Sequence, residues 1–125
     1  MSIDTNKIKI THHIKLTAKN GKLNEMLDAL EECANATKGQ PGCEYYEIIQ
    51  SIPNPSLITI ITKYSNYDAF KINKELPIIR NFIDNLQPKL VSEVSDSLHI
   101  TRIDSLGTRS HINIEELSYR KEIRK

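Results

Sequence analysis

Gln40-Pro41-Gly42-Cys43-Glu44-Tyr45-Tyr46-Glu47-Ile48-Ile49-Gln50-Ser51 is the stretch on which the fold turns. Proline fixes φ and glycine tolerates positive φ, so Pro41-Gly42 reads as a rigid turn feeding a strand from Cys43 to Ser51. Successive strand residues point to opposite faces, which sets Tyr45 and Ile49 on one side and Tyr46 and Ile48 on the other. Upstream, Leu23, Met26, Leu27, Leu30 and Ala34, with Cys33 beside them, recur at helical spacing until Gly39 stops the run. Before that helix, Lys7 to Lys19 alternates. Ile8, Ile10, His12, Ile14, Leu16 and Ala18 share one face, and Lys9, Thr11, His13, Lys15 and Thr17 the other, before Asn20-Gly21 turns the chain.

Downstream, Pro53-Asn54-Pro55 makes a turn into a third strand, Leu57 to Tyr64, with Ile58 and Ile60 on one side and Leu57 and Ile61 on the other. Ser65 with Asp68 three residues later resembles a capping box, which predicts a helix carrying Ala69, Phe70 and Ile72. Pro77 interrupts it and suits the first turn of a second helical piece, where Ile79, Phe82, Ile83 and Leu86 keep the helical period until Pro88 closes the element. A weaker strand follows over Val94 to Asp104, with Leu98 and Ile100 as its apolar content. In the remainder, 105–125, Asn113 and Glu116 suit the start of a short helix with a basic end.

The order is βαββαβ, which predicts a ferredoxin-like α+β domain over residues 1–104, followed by a tail over 105–125. Right-handed crossovers place both helices on one face of a four-stranded antiparallel sheet and leave the other face bare. Strands two and three carry apolar groups toward both sides, so a second copy packed sheet to sheet is the simplest cover, and a homodimer is expected. Lys9 and Lys15 on the bare face predict an interface that is partly wet.

Composition narrows the classes. A chain of 125 residues, 38% apolar and 26% charged, suits one core. A formal charge of +1 supplies no field for steering toward phosphate backbones, so no nucleic acid is expected. With no apolar run of ~18 residues and no h-region after Met1, neither a membrane partner nor export is expected, and the expected compartment is cytoplasmic. Cys33 and Cys43 lack paired spacing and read as reduced thiols. His12 and His13 are adjacent in a strand and face opposite ways, so they cannot share a metal, and no metal site is expected. No glycine-rich phosphate loop or Gly-x-Ser-x-Gly segment is present.

From Ile8 to about Ile103 the chain resembles the antibiotic biosynthesis monooxygenase superfamily of dimeric α/β barrels. The resemblance rests on Gly21, the amphipathic helix, Pro41-Gly42-Cys43 with Tyr46, the turn from Ser51 to Pro55, Tyr64, and Asp68-Ala69 followed by Pro77. It implies a homodimer with a pocket between sheet and helices in each subunit, and small cofactor-free monooxygenases, acting on quinols and polyketide phenols, are among its members. Where many members have Glu-x-Trp this chain has Thr62-Lys63-Tyr64, and Asn73 stands near the position of a common family His. The haem-degrading branch uses a Trp, and this sequence has none.

On that resemblance, His12 points into the pocket as a general base, its unperturbed pKa of ~6.5 being suited to the task. Asn73 joins it as a candidate catalytic residue, and Tyr46, Tyr64 and Phe70 as candidate substrate-binding residues. Plainer readings stand beside these: a hydrogen-bonded core histidine, a solvent-facing asparagine, and packed tyrosines with wet tips. The function expected is a monooxygenase that needs no cofactor and joins O2 to a quinol or polycyclic phenol. The alternatives are a non-catalytic ligand-binding or structural homodimer, and an isomerase or decarboxylase with no need of O2.

Overall fold

A computed structural model of the chain describes residues 8–103, so the predicted tail over 105–125 and the last predicted strand residue, Asp104, lie outside the described residues. The order is β1 (Ile10–Ala18), α1 (Leu23–Lys38), β2 (Cys43–Gln50), β3 (Leu57–Tyr64), α2 (Tyr67–Lys74), α3 (Pro77–Asn81), a π-helical turn (Phe82–Leu86), α4 (Gln87–Leu90) and β4 (Val91–Ile100). The four strands form one antiparallel sheet in the order β2-β3-β1-β4, the ferredoxin-like α+β arrangement.

Alternation sets the two faces. Along β1, Ile10, His12, Leu16 and Ala18 are buried on the helix-covered side, and along β3 Ile58, Ile60, Thr62 and Tyr64 repeat the pattern. Helix α1 answers with Met26, Leu30, Cys33, Ala34 and Thr37, a stripe at helical spacing that lies on those strands. Complete burial of Met26, Leu30, Leu16 and Ile58 contributes about 1.5–3 kcal/mol each. On the bare side, Leu57 and Ile61 are half-buried and Ile49 is exposed.

Gly42 ties strand to helix. Its φ is +86°, and a Cβ there would stand 2.7 Å from the Ala69 Cβ and 3.0 Å from the Ser65 Oγ. The backbone therefore has to be bare at this point, because α2 passes directly over it. The Gly42 carbonyl accepts the Ser65 N–H at 2.8 Å, which fixes where α2 begins.

Several boundaries differ from the sequence expectation, β4 for one ending at Ile100. The cap of α2 is Asn66, in extended conformation, whose Oδ1 accepts the Ala69 N–H at 2.9 Å. Ser65 is held by Gly42 instead, so the cap moves one residue on. Pro77 opens α3 as expected, whereas Pro88 lies in the first turn of α4 and does not end the element. A proline costs little there, since first-turn N–H groups have no intrahelical acceptor. Because the helix runs directly into the sheet at Leu90, β4 begins at Val91, three residues before the predicted start, and its register with β1 shifts between Thr17 and Ala18. Among the described residues no helix is long and apolar enough to cross a membrane.

Candidate functional site

Between the covered face and the helices lies a cavity of about 250 Å³. Leu16, Leu30, Ile60 and Phe82 form its apolar wall, and the polar or ionisable lining groups include His12, Tyr46, Tyr64, Asn73, Lys74 and Asp96. Four of the five residues singled out in the sequence, His12, Tyr46, Tyr64 and Asn73, are brought together on it.

His12 is positioned by β1 and is only 2% exposed, whereas Asp96, reaching from β4, is 58% exposed. Antiparallel pairing sets Ile14 opposite Asp96, so the carboxylate lies diagonally across from His12 on the same face. His12 Nε2 and Asp96 Oδ2 are 2.9 Å apart. A carboxylate only accepts, so Nε2 carries the proton and Nδ1 is left as the basic nitrogen. Burial pushes the His12 pKa below its ordinary 6.5, opposed by the bond to Asp96, with the Lys74 charge adding to the depression. At neutral pH the imidazole is therefore a neutral base.

Asn73 is not the surface residue that its type suggests. It is buried, its Oδ1 accepting the Tyr64 hydroxyl at 3.1 Å and its Nδ2 donating to Thr37 Oγ1 at 2.8 Å. The chain from β3 through α2 to α1 thus fixes the Tyr64 ring and locks α2 to its neighbours. Burial raises the Tyr64 pKa to about 12 and raises that of Tyr46 further, so both remain protonated donors. Tyr46 lines the cavity, and its hydroxyl bonds to no other described residue. Cys33, also on the wall, has its pKa raised by burial to about 11, so it is an inert thiol and no nucleophile.

Phe70 departs from its expected role. It is absent from the cavity wall and packs edge-on against His12, with ring centroids 5.1 Å apart, and against Tyr64 at 5.7 Å. It therefore holds the two polar rings in place from behind. Lys74 and Asp96 were missed in the sequence. Period-two alternation through β4 groups Asp96 with Val94 and Leu98, but only the register shows that this face meets His12. Lys74 offered no signal beyond lying four residues after Phe70, over whose ring its Nζ sits at 5.8 Å.

His13 lies on the opposite face, its ring 5.2 Å from that of His99, beside a shallower depression lined by Thr11, Lys63 and Thr101. Among the described residues no group of three or more His, Cys, Asp or Glu side chains is placed to hold a metal ion.

Comparison with known proteins fits this geometry. A protein of Shewanella oneidensis superposes with a TM-score of 0.74 at 23% identity, covering 77% of this chain and 93% of its own. A Deinococcus radiodurans protein assigned to the antibiotic biosynthesis monooxygenases gives 0.69 at 22%, covering 84% and 97%. SnoaB, a cofactor-independent oxygenase from Streptomyces nogalater, gives 0.68 at 17%, covering 78% and 97%. These likenesses show a shared fold. No curated protein matches the chain. The profile of the family described as antibiotic biosynthesis monooxygenase matches residues 9–85, well over half of the sequence. The chain belongs to the antibiotic biosynthesis monooxygenase family.

Proposed function

We propose that this protein is a cofactor-independent oxygenase of phenols or quinols, with His12 as its base. The observation that carries the reading is a buried, neutral His12 paired with Asp96 on the wall of an apolar cavity. A cavity of about 250 Å³ lies just below the usual range of ligand sites, about 300–1,000 Å³, which favours one or two rings over a larger polycycle.

In this reading His12 removes the phenolic proton, and Asp96 stabilises the imidazolium that results. The phenolate passes electrons to O2, and a C–O bond forms at a hydrogen-bearing ring carbon ortho or para to the phenolic oxygen. Protonation gives a hydroperoxide. Loss of its O–O bond and of the hydrogen on that carbon then expels water and leaves a quinone, so one oxygen atom ends in the product and one in water. Tyr46 donates a hydrogen bond to a substrate oxygen, Tyr64, whose one proton goes to Asn73, offers its oxygen only as an acceptor, and the apolar wall excludes water. The likeness in fold to SnoaB, described as a cofactor-independent oxygenase, supports this reading.

Oxygen uptake with a series of quinols and phenols tests it. The wild type is expected to consume O2, and His12→Ala to lose about 10²–10⁴-fold in kcat. Uptake that is unchanged in His12→Ala would rule this mechanism out.

The functional unit we propose is a homodimer packed through the bare face of the sheet. Ile49, exposed there, and half-buried Leu57 and Ile61 support it. Sedimentation equilibrium is expected to give twice the chain mass, whereas a monomer at all concentrations would reject it.

A further inference from the structure

The wall of the cavity carries one cation that proton removal by His12 does not use. Lys74 Nζ sits 5.8 Å from the Phe70 ring centroid, and the Lys74 side chain lines the same apolar cavity as His12 and Asp96. No described carboxylate stands within ion-pair distance of it, whereas exposed Arg80 and half-buried Lys9 have partners in Asp84 and Glu44. A partly buried ammonium with aromatic carbon on one side and an apolar cavity on the other has no anion paired with it among the described residues.

The charges that face Lys74 are Asp96 from β4 and Arg80 from α3, and the titratable groups beside it are the His12 imidazole from β1, which becomes charged on taking a proton, and Tyr64 and Cys33, which are neutral. Asp96 is taken by His12 at 2.9 Å. When a neutral phenol gives its proton to His12 inside a dry cavity, two charges appear, a cation on the imidazole and an anion on the substrate. Asp96 is placed for the first of these, and Lys74 is the group placed for the second. We infer that Lys74 is the anion-binding residue of this cavity, so that the site selects aromatic ligands in their ionised phenolate form.

This inference rests on the proposed site but not on its turnover, and equilibrium binding tests it. The probes are 4-nitrophenol, titrated by its absorbance at a pH where it is ionised, and 4-nitroanisole, which has the same ring and no charge. The wild type is expected to bind the phenolate at least about tenfold tighter than the anisole, a difference of one pKa unit's worth of charge interaction. Lys74→Met removes that preference and leaves anisole binding unchanged, and Lys74→Arg retains it. Equal loss of both probes in Lys74→Met, an unchanged preference, or no phenolate binding by the wild type overturns the assignment. Phenolate selection without O2 uptake by any phenol would reject the oxygenase and leave Lys74 standing. O2 uptake with no change of probe preference in Lys74→Met would do the reverse.

Discussion

His12 and His13 share a strand and a residue type, yet the two faces of the sheet give them opposite chemistry. His12 points under the helices, where burial pushes its pKa down and Asp96 holds Nε2. His13 points to the bare side, is partly exposed, and packs its ring on His99. The strand pleat alone separates them, since successive Cβ atoms leave a strand on opposite sides. A reactive histidine is therefore made by the face on which it stands and by what crosses over that face.

The largest test of this contrast is kinetic. The loss of kcat expected for His12→Ala has its control in His13→Ala, which should stay within about twofold, as substitutions away from buried networks generally do. Equal losses for the two variants would show that the covered face has no special role.

The second test concerns what holds the covered face together. Asn73→Leu leaves the Tyr64 hydroxyl and the Thr37 hydroxyl buried without each other's bridge, at about 1–3 kcal/mol for each group. For a domain of this size that corresponds to a fall in Tm of roughly 5–20 °C, read by calorimetry. Substituting Ser97, which bonds to His99 on the open strand, is expected to move Tm by no more than about 2 °C. An Asn73→Leu protein as stable as the wild type would mean that the three-residue chain contributes nothing.

Most of the architecture was legible because it depends on local periodicity. The alternation in Lys7 to Lys19 and in Leu57 to Tyr64 gave both strands, and Pro41-Gly42 marked a point where only a residue without a side chain fits under Ala69. The helix boundaries were less legible, because Asn66 and Pro88 each have two acceptable local roles and the packing of α2 and α4 chooses between them. In the site, His12 was readable from its strand face, and Tyr46 and Tyr64 from the family resemblance. Asp96 was not, because its role depends on register with a strand more than eighty residues away, and neither was the burial of Asn73, which depends on Thr37 from another helix. Phe70 was placed on the correct helix, but its depth behind His12 was not readable from spacing.

The smallest effect sharpens the comparison through pH. His12 has a folded pKa below its unfolded value of 6.5, so above 6.5 both states hold it neutral and its burial carries no proton-linked penalty. As pH falls below 6.5 the unfolded chain takes up a proton that the folded chain refuses. Stability is lost through that window and levels off once pH passes below the folded pKa. His12→Gln removes this term, so its urea midpoint should decline less steeply than that of the wild type between neutral pH and the folded pKa. The difference is of order 1 kcal/mol for each pKa unit of depression. The same depression keeps the base deprotonated to lower pH, so the acid limb of oxygen uptake should lie below 6.5 in the wild type. A limb at or above 6.5, with a stability curve for His12→Gln parallel to that of the wild type, would mean that burial under the helices does not depress His12.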